Sequence, residues 1–360
     1  MRLHRFKSVH QPMALLGTGR ARVSIALLTV LLFALAVGCA PSVLSPARPD
    51  GAAAKTPAET FPNRTVDVAD FPESAFAPVG PEAADDSLKI EGASSEPIAQ
   101  DDDLTTRTIR FASPAGGKVT GDLTVPTWAD GKLPCVVALH GIGGNRITLN
   151  LGWAAPRPLG MGVLSIDSRF GHETGGDLNP DSWATKDEVL ASVEVVLADL
   201  GAALEVLVNT PECDSERLGF VGMSLGGVIG SIFIASEPRI RFAALALMGG
   251  EIEDVLRSGV IPAVSQAHRL NLDAFAESLS SLDPAKWAPL FGDMDVLYIS
   301  SEDDPIFGES SQEAFESALA VPPKREVISK RHSPGLSDLE KLSISINTWV
   351  TEIAGGASTG

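Results

Sequence analysis

Six short, nearly continuous apolar segments, separated by stretches of helical character, limit the folds open to this chain. They occupy residues 135–141, 162–167, 217–222, 242–249, 295–301 and 325–329. Segments that are apolar on both faces are typical of parallel strands covered by helices on both sides. Because strands and helices alternate along the chain, we predict an α/β fold with a doubly wound, mostly parallel sheet.

The stretches between the apolar segments predict helices, most clearly where apolar residues recur at three-and-four spacing. The predicted helices are 186–209, 225–236, 310–320 and 336–354. Ahead of them, residues 105–113 and 118–126 alternate in the manner of strands around the turn PAGG, which predicts a hairpin. We place one folded domain over residues 104–355, followed by a flexible tail at 356–360.

Residues 250–292 form an interval that is too long for a simple loop between two strands. They contain helical fragments such as EDVLRSG and LDAFAESLSSL. We expect a small helical insertion here that caps the carboxyl edge of the sheet.

Residues 1–38 have the pattern of a secretory signal, because Arg20 and Arg22 precede an uncharged apolar run. The run is short for a membrane-spanning helix. The sequence AVGCA at its end resembles the lipobox of bacterial lipoproteins, in which the cysteine becomes the lipidated first residue. We therefore expect lipidation at Cys39, with an uncleaved membrane anchor as the alternative. Met13 is an alternative to Met1 as the first residue of the leader.

Residues 39–103 are rich in Pro, Ala, Ser and acidic residues and lack aliphatic runs. Little apolar surface offsets the entropy of ordering such a segment, which predicts a disordered tether. The chain of 360 residues carries a formal net charge of −18, which argues against nucleic acid as a partner. We expect an exported domain, anchored to a membrane by its N-terminal lipid and facing the periplasm or the cell exterior.

Cys135 and Cys213 follow the leader, too few for a disulfide framework or a metal-ligand cluster. Cys135 opens an apolar segment, so we expect a buried thiol there. A single bridge between the two cysteines is the alternative.

The segment GFVGMSLGGVIG, at residues 219–230, contains the pattern Gly-x-Ser-x-Gly. Ser224 follows a predicted strand and precedes a predicted helix, and a sharp turn there needs small flanking residues such as Gly222 and Gly226. The free N–H groups of a helix N-terminus favour a developing negative charge. The context predicts that Ser224 is a nucleophile, with a helix N-cap serine as the alternative.

A second Gly-rich segment, LHGIGGNR, ends the first predicted parallel strand. Acyl transfer requires backbone N–H donors that converge on the oxyanion. We predict that the N–H groups of Ile142 and Leu225 are these donors, with His140 and Gly141 as parts of the supporting motif. An ordinary Gly-rich turn is the alternative.

The chain from about 105 to 354 resembles the α/β-hydrolases, and among them the dienelactone hydrolase and acetyl xylan esterase type of small esterases. The resemblance is carried by LHGIGGNR, SIDSRFGHETGG, FVGMSLGGVIG, VLYISSEDDPIF and SKRHSPG. It implies the chain order nucleophile, acid, histidine. The motifs are specific for the superfamily and do not identify the substrate.

The resemblance implies that the acid follows a late strand, where Glu302, Asp303 and Asp304 occur. Related sequences tend to carry Gly-x-x-Asp at this point. Because Ser301 takes the glycine position, the register selects Asp304, with Asp303 as the second choice.

Of the six histidines, only His332 comes after the acid in the chain. It precedes the last helix, where the resemblance implies the catalytic histidine. Many relatives carry a small residue before it, whereas this chain has Arg331, which would depress the basicity of the imidazole if it pointed inward. We expect Arg331 to be solvated.

The segment SIDSRFGHETGG follows the second parallel strand. We expect Asp167 and Arg169 to pair and brace this loop, and His172 to line the pocket.

These residues predict a serine hydrolase that cleaves carboxylic esters through an acyl-enzyme, without a metal or organic cofactor. A small-molecule ester is then the substrate. The alternatives are a serine peptidase of the prolyl oligopeptidase type, a thioesterase or a lipase of the same fold. A non-catalytic, surface-anchored binding protein on a hydrolase scaffold is the alternative from another class.

Overall fold

The computed structural model describes residues 99–100, 104–129, 131–147, 149, 160–168, 185–258, 272–329, 332 and 335–356. Several predictions lie outside the described residues. They concern the signal segment with Cys39, nearly all of the tether, the tail from residue 357, and the side chains of Arg169, His172 and Arg331.

Within the described residues, nine strands form one sheet in the order β1-β2-β3-β5-β4-β6-β7-β8-β9. Strands β4 to β9 run parallel, and β1, β2 and β3 add an antiparallel edge. The predicted mostly parallel sheet is therefore confirmed. The strands are Ala99–Gln100, Leu104–Ala112, Lys118–Pro126, Leu133–Leu139, Gly162–Ile166, Cys213–Met223, Ile240–Ala246, Asp295–Ser301 and Lys324–Ser329.

The predicted hairpin is formed by β2 and β3, which pair over their full lengths. The turn between them closes with hydrogen bonds between Ser113 and both Gly116 and Gly117. Gly116 and Gly117 have φ values of 87° and 79°, which glycine adopts without steric cost. The hairpin joins the parallel strands through β5, which pairs antiparallel with β3.

The described helices include all four that the sequence predicts. They are α1 (Lys186–Val208), α2 (Leu225–Ser236), α3 (Ile252–Arg257), α4 (Leu272–Ser278), α5 (Pro284–Trp287), α6 (Glu309–Ala318) and α7 (Leu336–Gly356). Thr185 and Glu188 form a capping box at the start of α1 and satisfy its first N–H groups. Among the described helices, none is long and apolar enough to cross a membrane.

Helices cover both faces of the sheet. The residues of the central strands accordingly alternate between two apolar layers. In β4, Val137 packs in the layer that contains α1 and α2, whereas Val136 packs in the layer that contains α7. On the α7 side, Trp349 meets Phe242 edge to face, with ring centroids 5.9 Å apart. This burial of both faces is the reason for the continuous apolar pattern of the strands.

The insertion between β7 and β8 contains α3, α4 and α5, and its described helices join the apolar layer of α1 and α2. Val255, Phe275 and Trp287 are buried there. The indole N–H of Trp287 donates to the carbonyl of Ser281 at 2.7 Å. Residues 259–271 lie outside the described part of the chain, so the cap over the carboxyl edge stays a prediction.

Cys135 and Cys213 form a disulfide, so the expectation of a buried thiol at Cys135 was wrong and the alternative holds. The two residues lie on the adjacent parallel strands β4 and β6, with Cα atoms 5.6 Å apart. Both are fully buried. The pairing could not be predicted from the sequence, because 78 residues separate the two cysteines and the topology of the sheet decides which strands are adjacent.

Replacement of both bridged cysteines by alanine in the full-length chain should lower the free energy of unfolding by about 3–4 kcal/mol, because the bridge restricts a long loop in the unfolded state. Urea unfolding followed by circular dichroism measures this change. In the denatured wild-type protein, reduction should expose two more thiols to alkylation than are present before reduction. An unchanged thiol count would show that the bridge does not form.

Candidate active site

The polypeptide turns sharply at Ser224, between the end of β6 at Met223 and the start of α2 at Leu225. Ser224 has φ 52° and ψ −122°, a conformation that costs energy for any residue other than glycine. Its N–H donates to the carbonyl of Ala246 at 2.8 Å, which helps to hold this conformation. A strained serine on a strand–turn–helix unit is the geometry of a nucleophile elbow.

Gly222 and Gly226 permit this turn, because backbone atoms approach both of them closely. A Cβ at Gly226 would lie 2.3 Å from the carbonyl oxygen of Leu139. A Cβ at Gly222 would lie 2.8 Å from the carbonyl oxygen of Gly226. Any larger residue at either position would push α2 away from the sheet.

The hydroxyl of Ser224 faces His332, with 2.9 Å between Oγ and Nε2. Within the described residues, this side chain makes no capping hydrogen bond to α2. The geometry therefore disagrees with the N-cap alternative.

The other ring nitrogen of His332 contacts Asp304, with Nδ1 2.9 Å from Oδ2 and 3.1 Å from Oδ1. The carboxylate of Asp304 is fully buried and also accepts from the backbone N–H groups of Ile306 and Phe307, at 2.8 Å and 3.0 Å. An acceptor at Nδ1 places the proton on that nitrogen and leaves Nε2 able to accept from the serine hydroxyl.

The structure brings Asp304 to the histidine and leaves its two acidic neighbours in solvent. Glu302 and Asp303 are exposed. Asp303 adopts the left-handed conformation with φ 52°, which short polar residues tolerate. This turn after β8 directs the next side chain, that of Asp304, into the protein.

The Gly-rich segment after β4 packs directly against the nucleophile. A Cβ at Gly141 would lie 2.9 Å from the Cβ of Ser224, so only glycine fits. Leu225 begins α2, and its position leaves its N–H without an acceptor inside the helix. Ile142 follows Gly141 and is 46% exposed. The two predicted oxyanion donors thus lie on segments that flank Ser224, and their role stays a prediction.

His140 braces the base of this segment. Its Nε2 accepts from the N–H of Ser168 at 2.9 Å, and the Nδ1–H therefore donates to the carbonyl of Gly141 at 2.7 Å. Burial lowers the pKa of His140 and keeps the imidazole neutral. The ring connects the segment after β4 to the segment after β5.

Arg146 forms a further brace, which sequence reasoning missed. Its guanidinium pairs with Asp167 and lies 3.1 Å from the carboxylate of Asp122, and its backbone N–H donates to Asp167 at 2.9 Å. Burial works against the charge of Arg146, but the two carboxylates outweigh it and raise the pKa. Asp167 was expected to pair with Arg169, which lies outside the described residues.

The Gly-x-Ser-x-Gly turn, the strand order and the helices on both faces define an α/β-hydrolase fold, and the site has the arrangement of a serine hydrolase. Residues 99–247 match the acetyl xylan esterase family (AXE1). This match agrees with the resemblance read from the motifs and supports a carboxylic ester hydrolase. Asp304 and His332 lie beyond the matched segment.

Solved structures show the same fold. Acetyl xylan esterase 1 from Thermoanaerobacterium sp. JW/SL YS485 has 20% sequence identity and a TM-score of 0.57, over 77% of this chain and 92% of that one. Acetyl xylan esterase from Paenibacillus sp. R4 has 21% identity and a TM-score of 0.55, over 70% and 86%. A puromycin-hydrolyzing peptidase from Mycobacterium tuberculosis has 20% identity and a TM-score of 0.53, over 69% and 39%. No curated protein sequence matches this chain.

Among the described residues, no group of three or more His, Cys, Asp or Glu side chains is arranged to hold a metal ion.

Asp304→Asn should lower kcat for ester hydrolysis by about 10³-fold or more, because the amide cannot hold the productive tautomer of His332 or stabilise its cation. Asp303→Asn is the matched control, since it makes the same change one residue away on an exposed side chain. It should retain activity within about twofold. Equal losses in the two variants would contradict the assignment of the acid.

Arg146→Met should lower kcat by about 10- to 100-fold, because the segment beside Ser224 would lose its two carboxylate anchors. Arg107→Met is the control, since the Arg107 side chain is about as exposed as that of Arg146 and pairs with Glu212, just before β6, away from Ser224. It should leave kcat within about twofold. Steady-state kinetics with a soluble aryl ester distinguish the two, and a comparable loss in both variants would refute a specific role for Arg146.

Proposed function

We propose that this protein is a serine esterase that hydrolyses small-acyl carboxylic esters through an acyl-enzyme. The observation that supports the proposal is the continuous chain of contacts from Ser224 Oγ to His332 Nε2 and from His332 Nδ1 to Asp304. Each group has the environment that its role requires: a strained, accessible hydroxyl, an oriented imidazole and a buried carboxylate.

In the first step, Ser224 attacks the carbonyl carbon of the ester while His332 Nε2 takes the hydroxyl proton. The N–H groups of Ile142 and Leu225 donate to the negative oxygen of the tetrahedral intermediate. The imidazolium then protonates the alkoxide leaving group, and an alcohol departs from the acyl-serine.

In the second step, water replaces the alcohol. His332 accepts a proton from the water, the hydroxide attacks the acyl-serine, and the tetrahedral intermediate again occupies the oxyanion site. Its collapse returns the proton to Ser224 and releases the carboxylic acid.

The acetyl group is the acyl group we favour, because residues 99–247 match the acetyl xylan esterase family. A peptidase is the main rival, since a peptidase of known structure shares the fold. The structural match covers 39% of that peptidase. A thioesterase and a non-catalytic binding protein on the same scaffold are weaker rivals.

We also propose that the enzyme is exported and held at a membrane by a lipid on Cys39. The signal-like segment at residues 1–38 supports export. The disulfide between Cys135 and Cys213 adds independent support, because such bridges persist in oxidising compartments.

A panel of p-nitrophenyl esters from acetate to octanoate, with a matched amide and thioester, tests the proposed reaction. We expect kcat/KM to be highest for acetate and to fall with acyl length, with the amide hydrolysed far more slowly. Preference for the amide would favour a peptidase. Hydrolysis of none of these substrates by folded protein would favour a binding protein.

Ser224→Ala should lower kcat by at least about 10³-fold and abolish labelling by a fluorophosphonate, because the acyl acceptor is lost. Ser231→Ala is the control. It removes a buried hydroxyl of α2 that bonds the carbonyl of Gly227, so it tests the helix without touching the nucleophile. Labelling that survives in the Ser224 variant would refute the mechanism.

A further inference from the structure

The carboxylate of Asp304 is carried by a short loop, residues 302–306, which we call the acid loop. It lies between Ser301, the last residue of β8, and Phe307, two residues before the start of α6. Its outer residues Glu302 and Asp303 are exposed, so solvent surrounds one side of the loop. On the inner side of the loop, Asp304 and the adjoining Phe307 are buried.

Gln312, in the first turn of α6, ties the two ends of the acid loop together. Its Nε2 donates to the carbonyl of Ser301 at 3.0 Å and to the carbonyl of Phe307 at 2.7 Å. A side-chain amide has two N–H donors, and both are used in this way. Gln312 is 4% exposed, so water cannot readily replace either bond.

Phe307 connects this clamp to the reacting groups. Its backbone N–H donates to the carboxylate of Asp304, and its ring packs against the ring of His332 with centroids 5.7 Å apart. A shift of Phe307 would move both the acid and the histidine. The distance from Asp304 to His332 thus depends on where Gln312 holds the end of the loop.

The neighbouring residue on α6 bonds to a different loop. Ser311 donates to the carbonyl of Gly250 at 2.5 Å, and the N–H of Gly250 donates to the carbonyl of Ser311 at 2.8 Å. Ser311 is also 4% exposed. It is a matched reference, because it has the same burial and the same helix turn but bonds the segment after β7.

We propose that Gln312 is a positioning residue for hydrolysis, which holds the acid loop closed so that Asp304 stays aligned with His332. This inference rests on the proposed Ser224–His332–Asp304 mechanism. Gln312 does not touch the reacting atoms and acts through Asp304 and Phe307.

Gln312→Met keeps the length and volume of the side chain and removes both donors. We expect kcat for p-nitrophenyl acetate to fall by about 10- to 100-fold with KM within about twofold, because alignment of the acid affects the reaction more than binding. Ser311→Ala should keep kcat within about threefold. Equal losses of kcat in these two variants would overturn the proposal.

A double-mutant cycle with Asp304→Asn separates positioning from general destabilisation. If Gln312 acts through Asp304, Gln312→Met should lower kcat less than about threefold in the Asp304→Asn background. The same factor in both backgrounds would overturn the proposal. Thermal unfolding of each variant shows that the assays are run on folded protein.

Gln312→Asn provides a second route if the methionine variant does not fold. The shorter amide retains two donors but reaches at most one of the carbonyls, so kcat should fall to a value between the wild type and Asp304→Asn. Wild-type kcat in this variant would overturn the proposal. Failure of the mechanism itself is distinguishable, because it would appear as activity that survives in Ser224→Ala.

Discussion

Close backbone packing at the carboxyl ends of β4 and β6 is the constraint on which the rest of the site depends. At Gly226, α2 approaches the carbonyl of Leu139 so closely that a Cβ would lie 2.3 Å from that oxygen. At Gly141, the segment after β4 lies against Ser224 in the same way. These contacts bring the hydroxyl, the start of α2 and the Gly-rich segment together, as the proposed mechanism requires.

Buried polar groups hold the loops around this contact. His140 connects the segments after β4 and β5. Arg146 pairs with Asp122 on β3 and with Asp167 just after β5. On the other side, Asp304 accepts from two N–H groups as well as from His332. Each of these groups has a hydrogen-bond or ion-pair partner inside the protein, which offsets part of the cost of removing it from water.

Much of the fold and the candidate site could be predicted from the sequence, because the signals are local. Strand and helix periodicity located β2 to β9 and the helices α1, α2, α6 and α7. The glycines around Ser224 indicated a sharp turn, and the chain order indicated His332. The register read from the resemblance selected the carboxylate of Asp304, which contacts the histidine in the structure. The roles of these residues in catalysis stay predictions.

The features that the sequence did not show depend on contacts between distant segments. Cys135 and Cys213 meet because β4 and β6 are neighbours, although 78 residues separate them. Arg146 meets Asp122 because the hairpin pairs with β5 at the edge of the sheet.

Local sequence by itself determined the elements, the turn at Ser224 and the order of the reactive residues, because hydrophobic periodicity and glycine sterics act over a few residues. Only the tertiary structure decided which side chains meet: the disulfide, the partners of His140 and Arg146, and the clamp of Gln312 on the acid loop. The physical reason is that these contacts depend on strand order and loop closure, which the packing of the whole sheet establishes.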